Sequence, residues 1–348
     1  HAEESSQYKD VVADEATGTK ETDSYGTDLY AGRSKIGNST VNNSLTIHSG
    51  NFKEVYGAST AGSGTTADDK NDSRDNRVTL KDGTVRYGVY GGYVDNGTGK
   101  AVNNTVTMEG GTADSIYSGR AGGGDARGNK VFMEGGTVNY ICCGYAESGT
   151  VRDNTVTVTG GTVRVLKAGF TFSGSVTNNT VNLGDGTNPL KAGTKIRRIE
   201  GGSGDILNVK AHATVGQIKH IGTICFHKTD AITNTAPLLT LNGGEKTTIQ
   251  SLKNIKPEGL FGSYTLLKNT SGIEIADGKN VYSNITGDTE FNMKKVGGGQ
   301  EIAGESCQFK NAAFDETTGI KDSDNNLYAG RSTVGNSTVH NSLTVNSG

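Results

Sequence analysis

The chain of 348 residues carries 34 basic and 37 acidic side chains with the signs interspersed, a formal net charge of −3, so no basic face is offered to nucleic acid. Only 32% is hydrophobic, and the four cysteines (Cys142, Cys143, Cys225, Cys307) have neither disulfide-scaffold nor zinc-knuckle spacing. The 52 glycines lack the collagen period, the 3 prolines are too few for a proline-rich linker, and no apolar run is long enough for a membrane-spanning helix.

Residues 1–28 are polar and acidic and read as a lead-in or linker. From residue 29 a repeat takes over. One unit runs Asn-x-Val-x-Met/Val, then Gly-Gly-Thr-Val, two variable residues, Ile/Leu-Tyr, a small residue and Gly. Its instances are 103–119, 128–144 and 153–169, with looser copies at 42–58 and 75–91 and a partial one from Asn178. Asn104, Asn129, Asn154 and Asn179 follow each other at 25 residues, while Asn43 and Asn76 sit at wider spacing because longer loops intervene. A fixed period built from strand and turn residues marks a solenoid, here over 29–186 with about 25 residues per coil. Val106 and Met108 alternate with Thr105 and Thr107, a strand with one face inward. Gly110-Gly111 makes a turn. Val138 and Ile141 are three apart, and burying both needs a corner between them, so each coil is expected to hold about three short strands. Stacked coils pair in parallel at about 4.8 Å. The equivalent asparagines (Asn43, Asn76, Asn104, Asn129, Asn154, Asn179 and, in the last copy, Asn341) are then placed to form an amide ladder. The Asp68, Asp69, Asp72, Asp75 group reads as solvated loop charge, and His212, His220, Cys225 and His227 match no common zinc spacing.

From 187 to 249 the pattern loosens into an irregular continuation of the solenoid. Over 250–310 it differs again: 262–269 and 272–278 look like hairpin strands, giving either a small β subdomain or irregular coils. Residues 311–348 open a second long period. LYAGRSKIGNSTVNNSLTIHSG at 29–50 recurs at 327–348 with 17 of 22 positions identical, so the chain is expected to be one long repeat plus the start of the next.

The candidate binding residues form two rows. Tyr30, Tyr56, Tyr90, Tyr117 and Tyr328 share one repeat position, and alternation points them away from the core. Three residues further on come Arg33, Tyr93, Arg120, Tyr145 and Phe170. Aromatic rings can stack on sugars or anchor a protein partner, and a mix of arginine and aromatics is contact-surface composition. The competing reading is that the rings stack on one another and shield a sheet face.

The Asn-x-Val-x-Val-x-Gly-Gly-Thr-Val-x-x-Val-Tyr-x-Gly unit resembles the repeats of autotransporter passengers, surface adhesins of type V secretion, over residues 29–186 and 327–348. The resemblance implies a right-handed parallel β-helix at the bacterial cell surface, exported through an outer-membrane barrel that this chain does not contain. It also implies adhesion to a host-cell glycan or protein receptor, or self-association, without membrane insertion by this fragment. No catalytic residue, metal or cofactor is expected. The alternative is a β-helix polysaccharide lyase or hydrolase, which needs clustered carboxylates, whereas Asp114, Glu134, Asp153 and Asp185 fall at different coil positions.

Overall fold

The computed structural model describes residues 22–35, 39–61, 71–284 and 291–306 in full, and the backbone alone of residues 5–7, 11–13, 19–21, 285–286, 289–290, 307–309, 313–314, 320–321, 327–328 and 344–345. It consists of two units, the first built from residues 1–185, 190–207 and 218–222, the second from 186–189, 208–217 and 223–348.

In the first unit each coil starts at a left-handed residue. Asn42, Asp75, Asn103, Gly128, Asp153 and Asn178 all have φ between 55° and 65°, a region that glycine, asparagine and aspartate tolerate best. Each directly precedes a buried asparagine: Asn43, Asn76, Asn104, Asn129, Asn154 and Asn179. This is the physical content of the Asn-Asn, Asp-Asn and Gly-Asn doublets that open the repeat.

A four-residue strand follows: Ser44–Ile47, Arg77–Leu80, Thr105–Met108, Lys130–Met133, Thr155–Val158 and Thr180–Leu183. Successive copies pair in parallel, Val106 beside Val131 and Met108 beside Met133. A glycine turn with φ of 72° to 85° at Gly111, Gly136 and Gly161 leads into the longest strand. These are Gly26–Ser34, Glu54–Thr60, Thr84–Val94, Thr112–Ala121, Thr137–Ala146, Thr162–Thr171 and Lys195–Glu200, again parallel to one another. The third sheet is a stack of two-residue strands, Thr40–Val41, Ser73–Arg74, Ala101–Val102, Ala126–Arg127, Val151–Arg152 and Val176–Thr177. Three parallel sheets enclosing an aliphatic column make a parallel β-solenoid, the expected fold.

The corner between Val138 and Ile141 is taken without a break in the strand. Ala113 pairs with Val138 and Ser115 with Tyr140, while Asp114 and Asn139 drop out of the ladder. Their side chains bond instead, Asn139 Nδ2 donating to Asp114 Oδ1 at 2.8 Å. In the preceding coil one extra residue is absorbed between Val85 and Gly88. Both buried residues therefore reach the core across a one-residue bend that the neighbouring coils share in register, and only the coil at Val85–Gly88 adds a bulge.

The core is a column of Val106, Met108, Ile116, Val131, Met133, Ile141, Val156, Val158 and Leu166, with Ala126, Ala146 and Val151 at the short sheet. A single coil buries little, and its side chains leave water only when the next coil is in place.

At the N-terminal side, Thr19–Asp23 lies antiparallel to Gly26–Ser34, as does Ser5–Gln7, whereas Val11–Ala13 is parallel to Ser44–Ile47. The same backbone pairings recur at the start of the second long period. Ile320–Lys321 is antiparallel to Leu327–Tyr328, and Ala313–Phe314 is parallel to Thr344–Val345.

In the second unit, residues 213–215 pair in parallel with Leu239–Leu241, which pair in parallel with residues 267–269. Thr223–His227 pairs likewise with Ile255–Glu258. The two expected hairpin strands at 262–269 and 272–278 do not pair with each other. Ile273–Ile275 instead lies parallel to Thr247–Ile249, with Ile273, Ile275, Thr247 and Ile249 all buried. A true antiparallel meander comes later: Val281–Thr286, Thr289–Val296 and Glu301–Phe309 pair in order, the last also with Ser263–Asn269.

Candidate functional site: the polar spine and the aromatic face

Two rows of side chains run across the coils of the first unit. The inner row is the asparagine ladder. Asn104 donates both its backbone N–H (3.0 Å) and its side-chain Nδ2 (3.1 Å) to Asn129 Oδ1. Asn129 repeats this to Asn154 at 3.0 and 2.9 Å, and Asn154 to Asn179 at 3.1 and 2.9 Å. The second amide hydrogen goes to a backbone carbonyl: Asn104 to Ser73, Asn129 to Ala101, Asn154 to Ala126 and Asn179 to Val151. Asn43 and Asn76 carry the ladder back through the wider coils. Asn341 lies outside the described residues.

The ladder ends on a carboxylate. Asp205 Oδ1 accepts from Asn179 N (3.1 Å) and Nδ2 (3.0 Å), and its Oδ2 accepts from Gly202 N–H at 2.8 Å. Burial pushes the Asp205 carboxyl above its usual range, and these donors pull the other way. Aspartate suits this end because its second oxygen meets an N–H, where a ladder amide would meet a carbonyl.

The glycine that closes each repeat unit is explained by the same row. A Cβ on Gly119 would lie 2.3 Å from Asn129 Nδ2, and one on Gly144 would lie 2.3 Å from Asn154 Nδ2. Cys143, beside it, is buried, and its thiol donates to Asn129 O at 3.1 Å. Cys142 is buried as well, its thiol pushed up to about 12 by burial, and both are free thiols.

The outer row is aromatic. Tyr30, Tyr56, Tyr90 and Tyr117 occupy one register position on the long sheet. Their rings stack face to face at centroid separations of 4.7, 4.7 and 5.5 Å. Cys142 and Lys167 continue the row. The first three rings keep only 5%, 8% and 5% of their surface exposed. They point away from the aliphatic core, as alternation requires, yet they offer no open platform. Each ring's faces are taken by its neighbours in the adjacent coils, and Arg33 sits 4.4 Å over the Tyr30 ring. Glu54 holds two of the phenols, accepting from Tyr56 OH at 2.8 Å and Tyr90 OH at 3.2 Å. The side chain of Tyr328 lies outside the described residues.

Burial, then Glu54, raises the phenols of Tyr56 and Tyr90 well above the ordinary tyrosine value, and Tyr117 is pushed up to about 12, mainly by burial. In the unfolded chain the same groups ionise near pH 10. Their protons are thus lost first from the unfolded state, so this stabilisation is complete below about pH 10 and falls away as pH rises through the folded values. Thermal unfolding followed from pH 9 to 12 is expected to show a falling midpoint beginning near pH 10. The fall is expected to be shallower in a Tyr90→Phe variant, which keeps the stack but has no phenol to ionise.

The second expected row is where aromatic surface is accessible. Arg33, Ser59, Tyr93, Arg120, Tyr145 and Phe170 align in register. The Arg120 guanidinium lies 5.3, 5.7 and 5.0 Å from the ring centroids of Tyr93, Tyr117 and Tyr145. Lys167 stands 4.6 Å over Phe170 and forms a 2.9 Å ion pair with Glu200. Sequence reasoning missed Phe172, two residues beyond this row and 72% exposed, edge-on to Phe170 at 5.2 Å and Tyr145 at 6.0 Å. Its signal was available: alternation places residues 170 and 172 on the same side of the strand. Beside Phe172 is an open groove of about 420 Å³ bordered by Asn96, Gly123, Glu147 and Ser148.

The other candidate groups take ordinary structural roles. Asp72 Oδ1 accepts from Lys100 N–H at 2.9 Å, and Asp75 sits at a left-handed turn. Asp68 and Asp69 lie outside the described residues. His212 bonds the Pro237 carbonyl, and His227 bonds Asn208. Among the described residues, no three His, Cys, Asp or Glu side chains come together as a metal site. Asp114 is engaged by Asn139, and Asp153 pairs with Arg152 at 2.6 Å.

The fold thus defines a repetitive parallel β-solenoid with a buried amide spine and an aromatic–arginine face. No family model, curated protein or solved structure matches the chain.

Proposed function

We propose that this chain is the solenoid module of a bacterial cell-surface adhesin, secreted in the manner of type V passengers. It holds a strip of aromatic and basic side chains in fixed register for a host glycan, a host protein or a sister molecule. The observation that carries this reading is the exposed end of the second row. Tyr145, Phe170 and Phe172 form an aromatic ridge beside Arg120, and Phe172 is mostly in water. A large apolar ring left mostly in solvent adds little burial to the fold, and Tyr, Phe and Arg are the usual anchors of contact surfaces. Tyr145 lies on a strand flanked by parallel neighbours and pairs in register with Phe170, so these two rings have little backbone freedom left to lose on binding, and Phe172 follows directly at the strand's end.

The test is binding of the chain to cultured epithelial cells and to a glycan array, beside a Tyr145→Ser/Phe172→Ser variant. Binding is expected to drop about tenfold or more, the effect of losing an anchor worth about 1.4 kcal/mol or more, with the circular dichroism spectrum of the folded chain retained. Equal binding by the variant would overturn the assignment of the ridge.

A further inference from the structure

The row of Arg33, Tyr93, Arg120, Tyr145 and Phe170 has one gap. Every fully described member is bulky except Ser59, which lies in register between Arg33 on one side and Tyr93 on the other. The missing side chain leaves an open notch of about 390 Å³, within the size of small-molecule sites, about 300–1,000 Å³. Its floor is the edge of the tyrosine column at Tyr30 and Tyr56, and its aromatic wall is Tyr93. Arg33 and Lys35 stand at one end. Asp95 stands at the other, already accepting from Tyr93 OH at 2.8 Å.

This arrangement has a direction. A guanidinium and an ammonium at one end suit a carboxylate, for which arginine offers a two-pronged donor. A carboxylate at the other end accepts from hydroxyls and repels acids. Between them lie ring edges and one ring wall, suited to the apolar face of a pyranose. We propose that the notch over Ser59 binds a sugar acid, a pyranose bearing one carboxylate, with the acid group toward Arg33 and Lys35 and the ring hydroxyls toward Asp95. The proposal deepens the adhesin reading by naming a ligand class and rests on it only for the chain's surface role. The notch and the Phe172 ridge are separate places on the sheet.

Sialic and uronic acids share this chemistry, so the probes are sialyllactose and a hyaluronan tetrasaccharide, with lactose and maltotetraose as neutral counterparts. Binding to the full chain is followed by isothermal titration calorimetry at two salt concentrations. At least one acidic sugar is expected to bind at least tenfold more tightly than its neutral counterpart, and more weakly at high salt. Ser59→Tyr fills the notch with a residue the same row already carries at Tyr93 and Tyr145, so the fold is expected to persist while binding falls at least tenfold. Ser59→Ala leaves the notch open and is expected to keep binding. Failure of both acidic sugars to bind, or undiminished binding by Ser59→Tyr with an unchanged unfolding midpoint, overturns the proposal. Sugar-acid binding that survives in Ser59→Tyr, while the Tyr145/Phe172 variant loses adhesion to cells, would overturn the notch and leave the ridge standing. The converse result would overturn the ridge alone.

Discussion

Replacing Asn129 by leucine is expected to destabilise the first unit by about 4 kcal/mol, enough to unfold a marginal domain. The side chain is a rung with three partners. Its Oδ1 receives two N–H groups from Asn104, and its Nδ2 donates to Asn154 Oδ1 and to the Ala101 carbonyl. Leucine has similar volume but answers none of these, leaving two donors and one carbonyl buried without partners at about 1–3 kcal/mol each. Asn129→Asp separates the two halves of the argument. It keeps the acceptor but turns an oxygen toward Ala101 O and Asn154 Oδ1. At neutral pH it is expected to be as damaging as leucine. Because burial holds such a carboxyl neutral in the fold, the loss is expected to shrink as pH falls and the proton supplies the missing donor. Urea unfolding of the three proteins at pH 5 and pH 7, followed by circular dichroism, measures both effects.

Gly144→Val is expected to be comparably severe for a steric reason. The new Cβ would fall 2.3 Å from Asn154 Nδ2 and 2.5 Å from its Cγ, distances that real Cβ atoms do not adopt. Asn154 cannot swing aside without dropping its bonds to Asn179 and Ala126. Overpacking alone costs about 1–3 kcal/mol, and broken rungs add to it. Ala58 occupies the equivalent position in a wider coil, so a methyl group can be housed there. Gly144→Ala is therefore expected to lie between wild type and Gly144→Val in urea midpoint. A valine variant as stable as wild type would show that the ladder is slack at this rung.

The ladder and the coil were legible in the sequence because both rest on strict periodicity. Asparagines 25 residues apart, each after a residue fit for a left-handed turn, leave few other arrangements. The tyrosine column was legible as a row, and of the two readings of that row the structure shows the one in which the rings stack on one another and shield a sheet face; the depth of its burial was not legible. Alternation fixes only which side of a strand a residue takes, whereas its exposure depends on stacking at 4.7 Å and on Arg33 reaching back over Tyr30. The corner between Val138 and Ile141 was inferred from spacing, but its form was not, since a one-residue bend inside a strand carries no residue signature beyond Asp114 and Asn139. Past residue 186 the repeat no longer carries register. Short alternating segments such as Ile273–Ile275 suit hairpin and solenoid pairing equally until their partners are known. Asp205 as the end of the spine was invisible, because one aspartate among many has no periodic neighbour to mark it. The notch at Ser59 is a departure from the repeat, and it becomes a cavity only when the flanking Arg33 and Tyr93 are seen in adjacent coils.

The most direct test of coil stacking is a nuclear Overhauser experiment on the protein with labelled asparagine side chains. The stacked account predicts cross-peaks from each ladder side-chain amide to the backbone N–H and side-chain amide 25 residues away, for Asn104 with Asn129, Asn129 with Asn154 and Asn154 with Asn179. Amide signals in these residues that contact only sequence neighbours or water would contradict it.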